Sequence, residues 1–239
     1  MTSALEWFDY HWMFLGPPLC IMVAIWKLVL LKSAKQATVD SKDQELHMYS
    51  WLALMVYASH QFEEHGYDLY GRRYHFIEFY NDTAPWGTQL SPRIITIINT
   101  GSILTMFGIF AQWSETTRDY SKTGFMYGLM AFNGGVLHLL PCLVAHGAYN
   151  PGTVQSIIMT PLALYVLYKV YLRYGTGTLL ASFLYGSVYA HVLVLLLPLK
   201  LVSLGYLNDA GFAIWAIGLL MMYPIMISPL LKMGKTRKD

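Results

Sequence analysis

Charged residues are scarce in this chain of 239 residues, at 13% of the sequence. A soluble domain carries roughly 25% charged residues. Hydrophobic residues make up 55% instead, and the mean hydropathy is +0.40. These values exclude an ordinary soluble globule and a disordered chain. The net charge of +2 is also unlike that of a nucleic-acid binder, so no nucleic acid is expected among the partners.

Cysteine is nearly absent, since Cys20 and Cys142 are the two in the chain and both lie in apolar runs. They cannot build a disulfide framework or a four-thiolate zinc site. The sequence also lacks extended boxes of closely spaced histidines, which argues against a desaturase. No internal repeat, low-complexity tract or linker divides the chain, so residues 1–239 predict a single helical domain.

Long apolar runs, by contrast, recur along the whole chain. A helix needs about 20 mostly apolar residues to cross the hydrocarbon core of a bilayer. Seven such spans are predicted, at Trp12–Leu31, Leu46–Glu63, Ile94–Trp113, Gly124–Ala148, Thr153–Leu172, Leu179–Val202 and Ala210–Leu231. The predicted fold class is therefore all-α, an integral membrane helical bundle with about seven transmembrane helices.

Basic residues are unevenly divided between the two ends of these spans. Eleven Lys and Arg side chains fall on the side of the C-terminus and four on the opposite side. Cytoplasmic loops of membrane proteins carry the excess of Lys and Arg. The sequence thus predicts a multi-pass protein of the cell membrane, with the N-terminus outside and the C-terminus cytoplasmic.

One connecting segment is long, from about His65 to Arg93, and it is rich in aromatic residues. Two interpretations are open. The segment is either an aromatic anchor at the membrane interface or a lid over a substrate path.

A few ionisable or amide side chains interrupt the apolar spans, where a charged group costs several kcal/mol. In the predicted topology the spans that carry them all run outward, so these side chains converge on the outer half of the bilayer. The alternative for single residues is structural, such as a hydrogen bond between helices. The set comprises His60, Glu63 and Glu64 in the second span, Asn133, His138 and His146 in the fourth, and His191 in the sixth.

The second span ends in a set of polar residues at helical spacing. On a helix of 3.6 residues per turn, Glu64 lies about 40° from His60 and Glu63 about 60° on the other side, so all three project from one face. Helix bundles that bind two irons use Glu-x-x-His at this spacing. Two neighbouring carboxylates in a low dielectric do not both ionise easily, so proton chemistry is the open alternative.

These residues fall into strings that resemble the HXXEE family of multi-pass membrane proteins. That family is defined by the motifs HxxEE, NxxxH and HxxxYxPG, and it is suspected to be enzymatic without a settled reaction. The resemblance covers roughly residues 45 to 170 and rests on His60 to Glu64, on Asn133 with His138, and on His146 to Gly152.

Two spacings depart from the family pattern. Four residues separate Asn133 from His138, and two separate His146 from Tyr149, which changes the helical phase by one residue at each place. Which histidine of the fourth span joins the site is therefore open. Tyr149, three residues after His146, is expected to face the same side and to orient that imidazole.

The leading hypothesis is a membrane-embedded enzyme that acts on a lipophilic small molecule, such as an isoprenoid or acyl lipid. Its cofactor is expected to be a divalent metal ion, zinc or iron, because imidazole and carboxylate ligands suit both. The predicted metal ligands are His60, Glu64, His138, His146 and His191. The predicted catalytic residues are Glu63, Glu64, Asn133 and Tyr149.

Two alternatives belong to other classes. A metal-free isomerase or terpene cyclase would use a protonated Glu63 or Glu64, with aromatic walls that stabilise a carbocation. A proton-coupled transporter would use the same carboxylates, with the glycines after Asn133 and the prolines in the spans as gating elements. Membrane lipids are expected partners in every case.

Overall fold

A computed structural model of the chain describes residues 3–33, 41–73, 75–84, 87–144 and 149–235. These residues are almost entirely helical, and they contain no β-strand beyond one isolated bridge between Tyr67 and Arg73. The all-α prediction is therefore confirmed. His146 lies outside the described residues.

The helices follow one another with short connections. The first four α-helices are α1 (Ala4–Asp9), α2 (Trp12–Ser33), α3 (Ser41–His65) and α4 (His75–Thr83). The next are α5 (Pro92–Gly101), α6 (Phe110–Thr117), α7 (Ser121–Phe132), α8 (Leu140–Val144), α9 (Thr153–Tyr174), α10 (Thr176–Leu184), α11 (Leu197–Ser203) and α12 (Asp209–Lys235). Three π-helical segments continue α5, α7 and α10 without a break, namely π1 (Ser102–Ile109), π2 (Asn133–Leu139) and π3 (Tyr185–Leu196).

Six helical rods of the described chain are long and apolar enough to cross a membrane. They are Trp12–Leu30, Pro92–Thr117, Ser121–Val144, Thr153–Tyr174, Thr176–Ser203 and Asp209–Ile227. The predicted second span forms the continuous helix α3, but α3 is too polar to join this set. A seventh crossing and the orientation of the termini therefore stay predictions.

The centre of the bundle is α7, whose residues from Ser121 to Ala131 are all buried. It packs against α3, α9, α10 and π3. A Cβ atom on Gly128 of α7 would overlap the backbone of Ser182 on α10, so α7 and α10 are in direct backbone contact. Such close approach between apolar helices depends on small residues.

The two ends of α3 differ in their polar contacts. Near its N-terminal end, the Trp51 indole donates to Glu115, which also pairs with Lys27 at 3.1 Å. At its C-terminal end, α3 contacts His138 of π2 and the beginning of α9 through side chains, and α4 packs beside it. This second end carries the residues that the sequence motifs single out.

Candidate metal centre

Glu64 is the hub of a buried group of polar side chains in the last turn of α3. Its Oε1 atom lies 2.9 Å from Nε2 of His138 on π2 and 3.4 Å from Nε2 of His60, one turn earlier on α3. Potential ligand atoms of the three residues all lie within 4.8 Å of one another. Two helices thus bring together three donors that can hold a metal ion.

The second carboxylate oxygen of Glu64 has its own partners. Gln61 donates from Nε2 to Glu64 Oε2 at 2.7 Å, and Nε2 of His65 lies 3.5 Å from the same oxygen. Asn99 on α5 contacts that His65 nitrogen at 2.8 Å. The second oxygen of the Glu64 carboxylate is therefore held by Gln61 and approached by His65, both on α3, and α5 contributes only through the contact of Asn99 with His65.

Asn150 determines which nitrogen of His138 carries the proton. Its Nδ2 donates to the His138 carbonyl at 3.1 Å, which places its Oδ1 2.7 Å from His138 Nδ1. Because an amide oxygen only accepts, Nδ1 must be the donor. The neutral ring then has no proton on Nε2, which lies 2.9 Å from Glu64 Oε1. Two electron-rich atoms at this distance repel, so a second proton on the ring or a metal ion bound by both residues stabilises the contact.

Gly152 forms the floor beneath this cluster. A Cβ atom there would lie 2.7 Å from His138 Cε1, 2.8 Å from His60 Cε1 and 2.9 Å from Glu64 Cγ. The residue also has φ of +94°, which side chains rarely tolerate. The glycine that ends the string His146 to Gly152 therefore packs directly on the candidate ligands.

Glu63 points away from the cluster and towards the N-terminus of α9. Its Oε1 accepts from the Val154 amide at 3.0 Å, and its Oε2 accepts from the Gln155 amide at 2.6 Å. A carboxylate at this end of a helix satisfies unpaired N–H groups and complements the helix dipole. Glu63 therefore holds the start of α9, and with it Gly152, against α3.

Tyr149 lies beside Glu63 rather than in the ligand group. Its hydroxyl donates to Glu63 Oε1 at 3.1 Å and accepts from the Leu69 amide at 3.0 Å. Burial and the neighbouring Glu63 carboxylate raise the pKa of the Tyr149 hydroxyl. The hydroxyl thus stays protonated and ties the loop after α3 to the turn before α9.

A cavity of about 410 Å³ opens from the cluster into the bundle. This volume lies within the range of roughly 300–1,000 Å³ that is typical of small-molecule pockets. Glu64, His65 and His138 line one end, and apolar side chains of α5, π3 and α12 line most of the rest. The candidate metal centre is thus the polar end of a mostly apolar chamber.

Asn133 and His138 both line this cavity although five positions separate them. They are the first and the sixth residue of π2. A π-helix pairs residues at i and i+5, whereas an α-helix pairs i and i+4. The extra residue relative to the family spacing is therefore absorbed as a π-helical turn, and both side chains reach the chamber.

His191 is buried in the cavity wall but does not belong to the group of three ligand atoms. Its Nδ1 lies 2.5 Å from the Gly186 carbonyl, five residues earlier on π3, and its ring packs against Phe132 at 4.8 Å. His191 is thus a cavity residue whose ring position is set by π3. His146 falls in the part of the chain that is not described.

The aromatic segment after α3 forms α4, which lies over the cavity. Phe76, Phe79 and Tyr80 of α4 line the chamber, and no residue of this helix is fully buried. The Phe76 ring contacts His65 at 5.0 Å between ring centroids. This position is compatible with the lid and with the interfacial anchor, so both interpretations of the segment stay predictions.

Four residues of the site were missed in the sequence, namely Gln61, Asn99, Asn150 and Gly152. Gln61 and Asn150 lie inside motif strings, but at positions where the family pattern accepts any residue. Asn99 has no motif around it. A buried amide in an apolar span was the one signal that pointed to it.

Comparison with known proteins agrees with the strings found in the sequence. No curated protein and no solved structure matches the chain. The family model described as "Protein of unknown function with HXXEE motif" matches residues 51–166, a stretch that includes the whole cluster from His60 to Gly152. Residues 51–166 of this chain are therefore an HXXEE family region.

Proposed function

We propose that this chain is a membrane-embedded enzyme that holds a divalent metal ion, zinc or iron, between His60, Glu64 and His138. One observation carries the proposal. The Nε2 atom of His138, left without a proton by the contact of Nδ1 with Asn150, lies 2.9 Å from Glu64 Oε1, and a cation bound by both residues removes the repulsion. His60 adds a third donor, and neither of its ring nitrogens has a hydrogen-bond partner among the described residues.

The donor set and its spacing support a metal ion. Two imidazoles and one carboxylate bind the catalytic zinc of several hydrolases, and the same set binds non-haem iron with open positions. Tetrahedral bonds of about 2.0–2.1 Å separate the ligand atoms by about 3.3 Å. The distance of 3.4 Å from His60 Nε2 to Glu64 Oε1 is close to that value.

The surroundings of the three ligands also resemble those of metal sites. A metal-binding imidazole usually donates its second N–H to a carbonyl or carboxylate, which fixes the ring. Asn150 Oδ1 accepts this hydrogen bond from Nδ1 of His138, and Gln61 donates to the second oxygen of Glu64. Both oxygens of Glu63 accept from backbone amides at the start of α9 and thereby hold Gly152 beneath the ligands. We therefore assign Glu63 no proton transfer.

The substrate is expected to be a lipophilic small molecule such as an isoprenoid or acyl lipid. The cavity is mostly apolar and lies among rods that are apolar enough to cross a membrane. In the orientation predicted by the basic residues, the cluster lies in the outer half of the cell membrane. An ion with an open position would polarise a bound substrate or activate water there.

The same geometry supports a metal-free alternative. A second proton on His138 satisfies the contact with Glu64 Oε1 as well as an ion does. Tyr57, Phe76 and Phe79 line the cavity, and their ring faces would stabilise a cationic intermediate of an isomerase or cyclase. Metal analysis separates the two mechanisms.

The decisive experiment measures metal content in protein purified without chelators and dialysed against zinc or iron(II). We expect about one ion per chain in the wild type, and loss of the ion in His60→Ala, Glu64→Gln and His138→Ala. His47→Ala removes an equally buried histidine at the other end of α3 and should keep the ion. A wild type without an ion after loading would overturn the metal site.

Catalysis is tested on the membrane lipids of the host that expresses the protein. Mass spectra of lipid extracts from cells with the wild type should contain a product that is absent from cells with Glu64→Gln. The product should disappear when a chelator is added to isolated membranes. A product that persists in chelator favours the metal-free mechanism instead.

A further inference from the structure

We infer that the substrate of this proposed enzyme is a neutral lipophilic alcohol, whose hydroxyl donates to Gln61 at the polar end of the cavity. The inference rests on the proposed function and names its substrate class. Its basis is the hydrogen-bonding state of Gln61, the charge of the cavity wall, and the position of the cavity mouth.

Gln61 has an oxygen that requires a donor. Its side chain is 1% exposed and lines the cavity, and its Oε1 has no hydrogen-bond partner among the described residues. The amide cannot be reversed, because Nε2 donates to Glu64 Oε2 and a carboxylate oxygen only accepts. A buried acceptor without a partner is costly, so a ligand that supplies an O–H stabilises this state.

A second acceptor faces the same chamber. Asn133 lines the cavity, and its Oδ1 is buried without a partner in the described part of the chain. Asn133 shares the π-helical segment with His138 and lies about one turn before it. Both amides favour a polar group that donates hydrogen bonds.

The described wall of the cavity offers no permanently cationic side chain to the common anionic lipids. Among the described residues, the cavity is lined by Glu64 and three histidines, and by no Lys or Arg. A phosphate or carboxylate head would be buried beside the Glu64 carboxylate without a guanidinium or ammonium partner, and the proposed metal ion, already partly neutralised by Glu64, would be its one cationic contact. A hydroxyl has no such cost, and it can bind the open position of a metal ion.

The mouth of the cavity indicates where the substrate comes from. Leu137, Pro141 and Ile217 line the cavity and are also exposed on the outside of the bundle. All three belong to rods that are apolar enough to cross a membrane. An apolar mouth on such a surface admits a molecule that is dissolved in lipid, with its chain trailing towards the mouth.

The test compares ligands that share one chain and differ in the head. Binding of farnesol, farnesyl methyl ether and farnesoic acid is measured by quenching of tryptophan fluorescence in detergent, with 1-dodecanol as an unbranched alcohol. We expect farnesol to bind about tenfold more tightly than the ether, since one hydrogen bond to a buried acceptor is gained. The acid should bind more weakly than the alcohol at pH 8.

A substitution assigns the effect to Gln61. Gln61→Met keeps the length of the side chain and removes the acceptor, so the preference for farnesol over the ether should fall towards one. Gln89→Met makes the same change at an exposed glutamine outside the cavity and should keep the preference. If Gln61→Met does not fold, the comparison of alcohol, ether and acid on the wild type still tests whether the cavity prefers an alcohol.

The outcomes separate this inference from the proposed metal enzyme. All measurements are made on metal-loaded and on chelator-treated protein, with metal content determined in parallel. A metal-loaded wild type that binds the acid or the ether as tightly as the alcohol, or that does not bind the alcohol, overturns the inference and leaves the metal site intact. A preference for alcohol in protein that takes up no ion supports the inference and contradicts the metal site.

Discussion

Gly152 and His138 are in such close contact that a methyl group on the glycine would lie 2.7 Å from Cε1 of the imidazole. The glycine belongs to the turn before α9, and the imidazole belongs to π2. The turn before α9 and π2 therefore approach each other at the candidate metal centre so closely that residue 152 has no room for a side chain.

Gly152→Ala is expected to damage both folding and metal binding. The positive φ and the close contacts together should lower the free energy of unfolding by at least ~2 kcal/mol. Gly205→Ala is the matched control, because Gly205 has φ of +76° but nothing within 4 Å of the added methyl. Denaturation in detergent, with metal content measured in parallel, should show the larger loss for Gly152. Equal losses in both variants would mean that the contact with the cluster is unimportant.

Glu63→Gln should separate the two adjacent carboxylates. We expect it to cost about 1 kcal/mol of stability, because the charge at the N-terminus of α9 is lost while an oxygen acceptor remains. The metal content should stay near that of the wild type, whereas Glu64→Gln should lose the ion. Stability is followed by thermal unfolding and metal by elemental analysis. Normal stability combined with loss of catalysis in Glu63→Gln would instead assign Glu63 a chemical role.

Asn150→Leu should weaken metal binding without removing a ligand. The substitution deletes the acceptor that holds the proton on Nδ1 of His138. Loss of such a partner typically lowers metal affinity by about 10–100-fold. Competition with a chromophoric chelator measures the affinity, and Asn150→Asp, which keeps an acceptor oxygen, should restore most of it. An unchanged affinity in Asn150→Leu would show that His138 needs no orientation from Asn150.

Asp68 makes the loop after α3 sensitive to acid. Burial alone would raise the pKa of Asp68, but hydrogen bonds from the backbone and guanidinium of Arg72 outweigh it and hold the pKa below its usual value. A lowered pKa means that the ionised form stabilises the loop at neutral pH. This contribution is lost as the pH falls through the pKa of the folded state.

The acid sensitivity is measured as the exchange of backbone amides between Gly66 and Arg73 against pH. Protection, the ratio of the intrinsic exchange rate at each pH to the measured rate, should fall below about pH 3.9, the usual pKa of an aspartate. In Asp68→Asn the loop should exchange faster at pH 7, and this acid-dependent step should be absent. A wild-type loop whose protection does not change in acid would contradict the role of Asp68.

The sequence predicted the helical class and the chain segments that carry the site. Apolar runs of about 20 residues specify helices because each must satisfy its own backbone groups. The spacing of His60 and Glu64 likewise placed both on one side of α3, as the contact of 3.4 Å requires. The helical class and the shared side of His60 and Glu64 both follow from the helical period, which can be read directly from the spacing of residues in the sequence.

The direction of Glu63 and the contribution of π2 could not be obtained in this way. Adjacent residues on an α-helix point about 100° apart. Glu63 and Glu64 therefore meet different neighbours, and the tertiary structure decides that one reaches α9 and the other His138. The phase of His138 relative to Asn133 likewise depends on a π-helical turn, which an α-helical period does not predict.

The order of residues by itself determined a bundle of apolar helices with a His and Glu cluster at one end of α3. Only the tertiary structure decided that Glu64 and not Glu63 joins His138, that Asn150 fixes the imidazole, and that Gly152 lies beneath them. The reason is physical. Helix formation follows from interactions between residues close in the chain. The contacts of Glu64 with His138 and Gly152 instead join residues 74 and 88 positions apart and depend on how helices pack.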